Sequence, residues 1–256
     1  MRIVFVGAGR LATQLAHALH GQGHDILAVY SRTMEGAEAL CRIVGGQATN
    51  EIAALPMSAD AFIVAVKDDV LTEVIAQLAP GREGCPFYHT AGSVPMSVFG
   101  GHPHHGVIYP MQTFSKERMV DFRSIPVFIE ASSELALQRA ETLARTVSDN
   151  VRMLSGEKRR YLHLAAVFAC NFANHCYALA ADVLERHGLD FDVMIPLIEE
   201  TARKVGTMHP RDAQTGPAVR FDENVIHSQE QLLADNPLVQ EVYRLMSRSI
   251  HLSCLV

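Results

Sequence analysis

Residues 1–33 constrain the fold of this chain more than any other segment. An apolar run from Ile3 to Val6 leads directly into Gly7-Ala8-Gly9-Arg10-Leu11-Ala12, and a helical pattern follows. A strand, a tight glycine turn and a helix N-terminus in this order form a phosphate-binding site. Gly7 makes the turn, Gly9 lets the backbone approach a pyrophosphate, and Ala12 lets helix and strand pack closely. We predict that Gly7, Ala8, Gly9, Arg10 and Leu11 bind a dinucleotide; the alternative is an ordinary strand-turn-helix.

The end of the second predicted strand indicates which dinucleotide binds. The strand runs from Ile26 to Tyr30, and Ser31-Arg32-Thr33 follows it. Proteins that bind NAD usually carry an acidic residue here, which accepts a hydrogen bond from the ribose 2′-hydroxyl. This chain has instead a guanidinium, which can hold a phosphate with two parallel hydrogen bonds, between two hydroxyl groups. The pattern therefore predicts NADP as the cofactor, unless Arg32 is only a solvated surface residue.

Composition and charge indicate a soluble enzyme. The 256 residues are 48% hydrophobic and 20% charged, and the net charge of −6 is spread without long runs. Neither nucleic acid nor an anionic membrane is an expected partner. No segment approaches about 18 uninterrupted apolar residues, the length of a membrane span. The chain begins directly with a strand, so we expect no signal peptide. Five cysteines without a CxxC pair suit a reducing compartment, and we expect a cytoplasmic protein.

Strand and helix signals alternate over residues 1–154, which predicts a Rossmann-type, doubly wound and mostly parallel sheet. Residues 155–256 are predicted to be all helical, with a domain boundary near Ser155. The predicted fold class is therefore α/β followed by an all-α domain. The strands are expected at 3–6, 26–30, 47–49, 61–66, 86–89, 107–113, 125–129 and 151–154. The helices of the second part are expected at 157–187, 191–205, 224–234 and 237–252, with a loop over 206–222. Gly188 is predicted to end the first of these helices, and Asn236, followed by Pro237, to cap the last.

Ligands of a doubly wound sheet bind at the carboxyl ends of its strands. The fourth strand leads into Val64-Ala65-Val66-Lys67-Asp68-Asp69, which should pass beside the cofactor and whose Asp68 or Asp69 can cap the next helix. The fifth leads into His89-Thr90-Ala91-Gly92-Ser93, which we expect to face the nicotinamide. A later strand ends in Tyr109-Pro110-Met111-Gln112-Thr113-Phe114 and brings Gln112 and Thr113 near the same cleft. Each of these segments also fits an ordinary exit from a strand into a loop.

The first predicted helix of the second part carries a polar stripe. At about 100° per residue, His163, Val167, Asn171, Asn174 and Ala178 share one face of a helix that is otherwise apolar. Polar groups on such a face are costly unless they line a cleft or form hydrogen bonds. We expect His163 to donate a proton and Asn171, with Asn174 beside it, to hold a substrate carbonyl or the nicotinamide amide. The alternative is a structural hydrogen-bond network between domains.

The loop over residues 213–222 supplies a third group of candidates. Arg220 is expected to bind a substrate carboxylate, with Thr215 and the Gly216 backbone donating further hydrogen bonds. An ion pair between Arg220 and Asp222 is an equally good interpretation. We predict no metal site, because the His102, His104 and His105 cluster has no carboxylate or thiolate ligands at useful spacing.

The chain resembles an uncharacterised bacterial family that joins an NADP-oxidoreductase-like Rossmann domain to a helical domain of unknown function. The resemblance spans essentially the whole chain and rests on the segments VGAGRLA, AVKDD, HTAGS, YPMQTF, HLAAVFACNFANHCYALA and AQTGPAVRFD. This family is similar to pyrroline-5-carboxylate reductases and to deazaflavin-dependent NADP reductases. In such relatives the helical domain commonly forms the dimer and closes over the nicotinamide. The resemblance, with the surplus of apolar helix faces, implies a homodimer.

The resemblance does not identify the substrate. The related β-hydroxyacid dehydrogenases and ketopantoate reductase use a lysine four residues before the helix asparagine, but this chain has Val167 at that position before Asn171. We expect an NADP(H)-dependent reductase of a small C=O or C=N compound, with a carboxylate on the substrate. Two alternatives stay open: a sensor or scaffold that binds NADP(H) without turnover, and an NADP reductase with a deazaflavin as its hydride partner.

Overall fold

A single sheet organises the first two thirds of the computed structural model, which describes residues 1–115 and 118–255. Within those residues the sheet has eight strands in the order β3-β2-β1-β4-β5-β6-β7-β8, and only the β6–β7 pair is antiparallel. The strands are β1 (Arg2–Val6), β2 (Asp25–Tyr30), β3 (Gln47–Thr49), β4 (Ala61–Val64), β5 (Phe87–His89), β6 (His105–Pro110), β7 (Val127–Ala131) and β8 (Val151–Met153).

The strand order reverses between β1 and β4, so β1 has β2 on one side and β4 on the other. In the parallel ladders Val6 pairs with Val64, and Val64 pairs with His89. The carboxyl ends of β1, β4 and β5 therefore lie side by side, at the kind of crevice where such sheets bind ligands. The predicted α/β fold, a Rossmann-type sheet followed by a helical region, is confirmed.

Helices cover both faces of the sheet. They are α1 (Arg10–Gly21), α2 (Met34–Val44), α3 (Leu71–Leu78) and α4 (Glu134–Val147). The alternating residues of β1 show how the core is divided: Ile3 and Phe5 join the cluster that includes α1, α2 and α4, whereas Val4 and Val6 join the cluster around α3. Because each strand is buried on both faces, it appears in the sequence as a continuous apolar run.

The helical region begins with three consecutive segments, α5 (Gly156–Ala166), a π-helical turn (Val167–Phe172) and α6 (Ala173–Arg186). It continues with α7 (Ile195–Val205), the short α8 (Pro210–Ala213), α9 (Glu223–Gln231) and α10 (Pro237–Ser253). The predicted cap of the last helix is present, since the Asn236 side chain accepts a hydrogen bond from the backbone N–H of Val239.

The chain divides into a first unit, Met1–Cys170, and a second unit, Asn171–Val256. This division falls inside the π-helical turn, whereas the boundary expected from the sequence lies at the start of α5. An ion pair ties α5 to the sheet of the first unit: Nη1 of Arg159 lies 2.5 Å from Oε2 of Glu130 at the end of β7. Arg159 is only 1% exposed, so this contact is part of the first unit's interior.

Several local expectations are corrected. β4 ends at Val64 and β6 spans His105–Pro110, so the residues that follow each strand form the cavity wall described below instead of continuing the sheet. The two aspartates expected to cap α3 form a 3-10 turn, Asp68–Val70, before it. The loop expected over 206–222 contains α8, whose cap is His209.

A π-helical turn, Val167–Phe172, interrupts the helix on which the polar stripe was predicted. Its hydrogen bonds span one more residue than those of an α-helix, so the turn of 100° per residue does not hold across it. His163 comes before this turn and Asn174 after it, while Asn171 lies within it. The α-helical periodicity used for the prediction therefore cannot assign these three side chains to one face.

The continuous helical stretch Gly156–Arg186 is long and apolar enough to pass a length and composition test for a membrane span, because an 18-residue window within it has a mean hydropathy of 1.3. It is the single stretch to do so among the described residues. Its apolar residues are largely exposed: Leu164 is 53% exposed and Tyr177 37%.

Candidate functional site

A cavity of about 760 Å³ opens in the first unit at the carboxyl ends of β1, β4, β5 and β6. Three basic and three acidic side chains are among its lining residues, so its overall charge is nearly balanced. The predicted residues that line it are Gly7, Ala8, Gly9, Arg10, Leu11, Ser31, Arg32, Ala65, Val66, Lys67, Thr90, Ala91, Gln112 and His163. Asp68, Asp69, Gly92 and Tyr109, which belong to the segments predicted to reach the cleft, also line it, whereas Glu73 and Gln77 were not predicted.

The turn after β1 has no room for a side chain at its first glycine. Gly7 has a φ of +121°, and a Cβ atom there would lie 2.3 Å from the carbonyl oxygen of Ala65. The turn is also held by the sheet, because the Gly7 N–H donates to the carbonyl of Tyr30 at 2.7 Å. This close approach brings the loops after β1 and β4 together on one side of the cavity.

The second glycine leaves open space at the start of α1. Gly9 is the N-cap of α1, and no heavy atom lies within 4 Å of the position where its Cβ would be. The first turn of α1 contains no acidic residue, and no side chain among the described residues caps it. Its unpaired N–H groups and the positive end of the helix dipole fit the diphosphate of a dinucleotide.

The segment after β2 lies where the adenosine ribose binds in this fold class. Ser31 and the exposed Arg32 line the cavity. Thr33, expected to share this role, does not line it; its side chain accepts a hydrogen bond from the Gly36 N–H and so caps α2. A Cβ at Gly36 would lie 2.8 Å from the hydroxyl oxygen of Ser31, so the start of α2 packs closely against this segment. The guanidinium and one hydroxyl therefore suit a phosphate on the ribose.

His89 does not face the cavity as expected. Its side chain is completely buried, and its Nδ1 accepts a hydrogen bond of 3.1 Å from the backbone N–H of Ala91. Burial, followed by repulsion from Arg159 and His105, lowers the pKa of His89 to about 3. His89 is thus a neutral residue that anchors the loop after β5 through Ala91, and Ala91 itself lines the cavity.

A tyrosine and a histidine meet at the wall of the cavity. The Tyr109 hydroxyl, at the end of β6, lies 3.0 Å from Nδ1 of His163 on α5, and the two rings are edge to face. A Cβ at Gly92 would lie 2.5 Å from the same Nδ1, so only glycine lets the loop after β5 approach this ring. Burial raises the pKa of Tyr109, and Arg159 opposes this shift. Two groups that can donate or accept protons are therefore paired beside the cavity.

Arg159, which forms the ion pair with Glu130, also fixes the far end of the loop after β5. Nη2 of Arg159 donates to the carbonyl of Val94 at 2.6 Å, while Nη1 pairs with Glu130. Residues 90–94 are thus held at one end by His89 and at the other by Arg159. A loop anchored in this way presents a rigid wall, which is what positioning a reacting group requires.

Four predicted residues belong to the second unit: Asn171, Asn174, Thr215 and Arg220. All four side chains are exposed, and their roles stay predictions. Thr113 is not among the cavity residues; its N–H donates to the Gln112 side chain. Among the described residues no group of three or more His, Cys, Asp or Glu side chains could hold a metal.

The sequence places Tyr109 and Gly92 in segments that reach the cleft but predicts no role for either, because their residue types carry no signal of their own. A tyrosine at the end of an apolar strand is usually a core residue, and a glycine after a strand is usually a turn. Both lie in the HTAGS and YPMQTF segments that were singled out, so the spacing of polar residues after neighbouring strands was the available signal.

Two family models match this chain. The model described as NADP oxidoreductase coenzyme F420-dependent matches residues 2–84, and the one described as Domain of unknown function (DUF2520) matches residues 125–250. The first therefore covers the glycine turn and Arg32, and the second covers α5 with His163.

Several solved structures are similar to this chain over nearly its whole length. The BF3122 protein of Bacteroides fragilis, whose name assigns it provisionally to the NADP oxidoreductases, is 52% identical, with 98% of this chain and 97% of that chain covered and a TM-score of 0.94. The TM1727 protein of Thermotoga maritima is 22% identical over 98% of each chain, with a TM-score of 0.72. An imine reductase of Myxococcus stipitatus in complex with NADP+ is 15% identical, covering 98% of this chain and 93% of its own, with a TM-score of 0.69. The last two likenesses show the fold alone.

A curated relative matches only in part. Glutamyl-tRNA reductase of Geobacillus kaustophilus is 32% identical over 101 residues, which is 38% of this chain and 22% of that protein. The chain thus spans less than a quarter of the length of this relative.

Proposed function

We propose that this chain, which belongs to the same family as BF3122 and matches an NADP oxidoreductase model followed by a DUF2520 model, is an NADPH-dependent reductase of a small C=O or C=N compound. We further propose that the compound carries a carboxylate. Family membership supports an oxidoreductase with a nicotinamide cofactor. The choice of NADPH and the class of substrate are the proposal.

The observation that carries the proposal is the arrangement of residues around one cavity. The open helix N-terminus at Gly9 suits a diphosphate, Arg32 suits the 2′-phosphate, and the Tyr109–His163 pair suits proton delivery. No acidic residue occupies the positions after β2 that would favour NAD. The lining residues therefore suit both the phosphate groups of NADP and the delivery of a proton to a substrate.

Bound NADPH supplies a hydride to the carbon of the double bond. The chain's own task is to bind and orient both molecules and to provide a proton to the oxygen or nitrogen of that bond. We assign the proton to His163, which lines the cavity. The wall formed by Thr90, Ala91 and Gly92 excludes water from one side, which strengthens each polar contact made there.

The second unit supplies the remaining proposed contacts. Asn171 and Asn174 are proposed to hold a carbonyl or amide, and Arg220 with Thr215 to hold the substrate carboxylate. Arg220 is exposed and its guanidinium suits a carboxylate.

The experiment is NADPH oxidation, followed by absorbance, against a panel of 2-keto acids and cyclic imines. We expect turnover of at least one compound, with NADPH strongly preferred to NADH. The variant His163→Ala should bind NADPH as the parent does and lose turnover by a factor of about 100 or more, the usual contribution of a positioned acid. Turnover unaffected by His163→Ala would overturn the assignment.

Two observations favour other functions, which the same experiment can distinguish. Val167 stands where related dehydrogenases carry a catalytic lysine, which favours a sensor that binds NADP(H) without turnover. The description of the N-terminal family model favours a deazaflavin as hydride partner. Binding of NADPH without turnover of any panel compound would support the sensor. A spectral change on adding the deazaflavin together with NADPH would support the third function.

We also propose that the chain forms a homodimer through its helical region. Among the described residues of the second unit, Ala218 is the one buried residue, so this unit has almost no core of its own. On α10, Leu238, Leu245 and Leu252 recur every seven residues and are 72%, 66% and 49% exposed. A leucine row of this kind suits a helix of a second copy, where burial of each side chain contributes about 2 kcal/mol.

Sedimentation of the full chain tests the dimer. We expect a dimer at micromolar concentration and a shift towards monomer in Leu245→Glu. Ile43→Glu is the matched control, because Ile43 is also exposed (46%) but lies on α2 of the first unit. A parent that sediments as a monomer would contradict the proposal.

The five free cysteines also support the proposal that the protein is cytoplasmic.

A further inference from the structure

We propose that Tyr109 is a positioning residue that sets the protonation arrangement of His163, so that the Nε2–H of this imidazole faces the cavity. The proposal rests on the proposed function, in which His163 provides the proton. It adds a residue on a different element, the end of β6, that acts through His163.

The two side chains form a closely defined pair. The Tyr109 hydroxyl oxygen lies 3.0 Å from His163 Nδ1, and the ring centroids are 6.1 Å apart at an interplanar angle of 71°. Tyr109 is 7% exposed, so its hydroxyl has little access to water. A buried tyrosine hydroxyl almost always finds a hydrogen-bond partner, and here that partner is the imidazole.

We infer the direction of this hydrogen bond from the hydrogen of the phenol, for which Nδ1 of His163 is the acceptor found among the described residues. Burial raises the pKa of Tyr109, so the hydroxyl keeps its hydrogen at neutral pH and can donate it. An imidazole nitrogen that accepts a hydrogen bond carries no hydrogen itself. Neutral His163 must then carry its hydrogen on Nε2.

The orientation of the ring follows from Gly92. The position of a Cβ at Gly92 lies 2.5 Å from Nδ1 and 2.7 Å from Cγ of His163. The loop backbone thus closes against the same edge of the ring that Tyr109 contacts. Since His163 lines the cavity, the opposite edge, with Nε2, is the one left to face it.

This arrangement suits a reductase in both protonation states of the imidazole. Neutral His163 offers its Nε2–H to the oxygen or nitrogen of the substrate. When the ring is protonated, the phenol rotates its hydrogen away and accepts from Nδ1–H, because a hydroxyl can both donate and accept. Without the hydroxyl, Nδ1 has no acceptor or donor from Tyr109, and the ring is free to carry its hydrogen on either nitrogen.

Long-range ¹H–¹⁵N NMR of the full chain, labelled at histidine and held at mildly alkaline pH, shows directly which nitrogen of His163 carries the hydrogen. The His163 signals are those that disappear in His163→Gln. We expect the parent to show the Nε2–H tautomer, and Tyr109→Phe to show a mixture of both tautomers. The matched control is Tyr88→Phe, which removes another buried hydroxyl that bonds the Ala136 carbonyl at 2.7 Å, and which should leave the His163 signals in place.

An Nδ1–H tautomer in the parent would overturn the proposal without any variant, and so would an unchanged Nε2–H tautomer in Tyr109→Phe. Thermal unfolding and NADPH titration of both tyrosine variants show whether each is folded. Absence of NADPH binding in the parent would contradict the proposed function. The tautomer of His163 would still be measured in that case, so the two proposals are tested separately. With a substrate in hand, Tyr109→Phe should lower kcat by about tenfold and leave the KM for NADPH within about twofold, since roughly 1.4 kcal/mol of transition-state stabilisation is lost.

Discussion

The strongest consequence of the cavity concerns the substitution Arg32→Ala. Among the described residues no carboxylate forms an ion pair with Arg32, so its guanidinium is available to a ligand. Hydrogen bonds to charged groups contribute about 1.5–3 kcal/mol each. Because Arg32 is exposed to solvent, we take about 2 kcal/mol for its whole contact with the 2′-phosphate. At about 1.4 kcal/mol per factor of ten, Arg32→Ala should weaken NADPH binding about 30-fold.

Calorimetric titration with NADPH and NADH measures this effect. NADH lacks the 2′-phosphate, so its affinity should change by less than about twofold in Arg32→Ala. Arg42→Ala is the matched control, since Arg42 is an exposed arginine near the end of α2 that does not line the cavity. Unchanged NADPH affinity in Arg32→Ala, or equal weakening of both nucleotides, would refute the assignment of Arg32.

Three further substitutions test other parts of the first unit. Gly7→Ala should abolish NADPH binding in a titration and lower the melting temperature, because its Cβ would lie 2.3 Å from the Ala65 carbonyl oxygen at a φ of +121°; normal binding would be contrary to the turn geometry. Glu130→Gln should cost about 3 kcal/mol of unfolding free energy in urea, since it leaves the charge of Arg159 buried without its partner; a loss under about 1 kcal/mol would contradict this. The pKa of His89 is about 3 in the folded chain and 6.5 for an unperturbed histidine, so the unfolded chain binds this proton first and stability falls as the pH drops below about 6.5. At about pH 5 this loss is roughly 2 kcal/mol in the parent and should be missing from His89→Asn, whereas equal pH slopes in urea unfolding would count against it.

The parts of the fold that could be predicted from sequence are those set by local chemistry. The run Ile3–Val6 followed by Gly7 and Gly9 identifies the turn, because each residue type there has a specific steric task. The cap at Asn236 and the stop at Gly188, which has a φ of +71°, also follow from neighbouring residues alone. Strand ends were less predictable, since Ala65 and Val66 are apolar and yet belong to the cavity wall.

The parts that could not be predicted depend on distant residues. His89 was expected in the cleft because of its position at the end of a strand, but the pleat turns its ring inward, where it stacks on Phe99. The polar stripe was predicted from α-helical periodicity, which a π-helical turn without a clear sequence signal interrupts. The pairing of Tyr109 with His163 joins residues 54 positions apart, and no short motif contains both.

The most direct measurement of the central claim is a crystal structure of the full chain with NADP+. We expect the diphosphate against the backbone of the turn from Gly7 to Leu11, the 2′-phosphate on Arg32, and the nicotinamide ring beside Thr90–Gly92 with His163 within reach. A structure in which the nucleotide lies elsewhere, or in which Arg32 makes no contact with the 2′-phosphate, would contradict it.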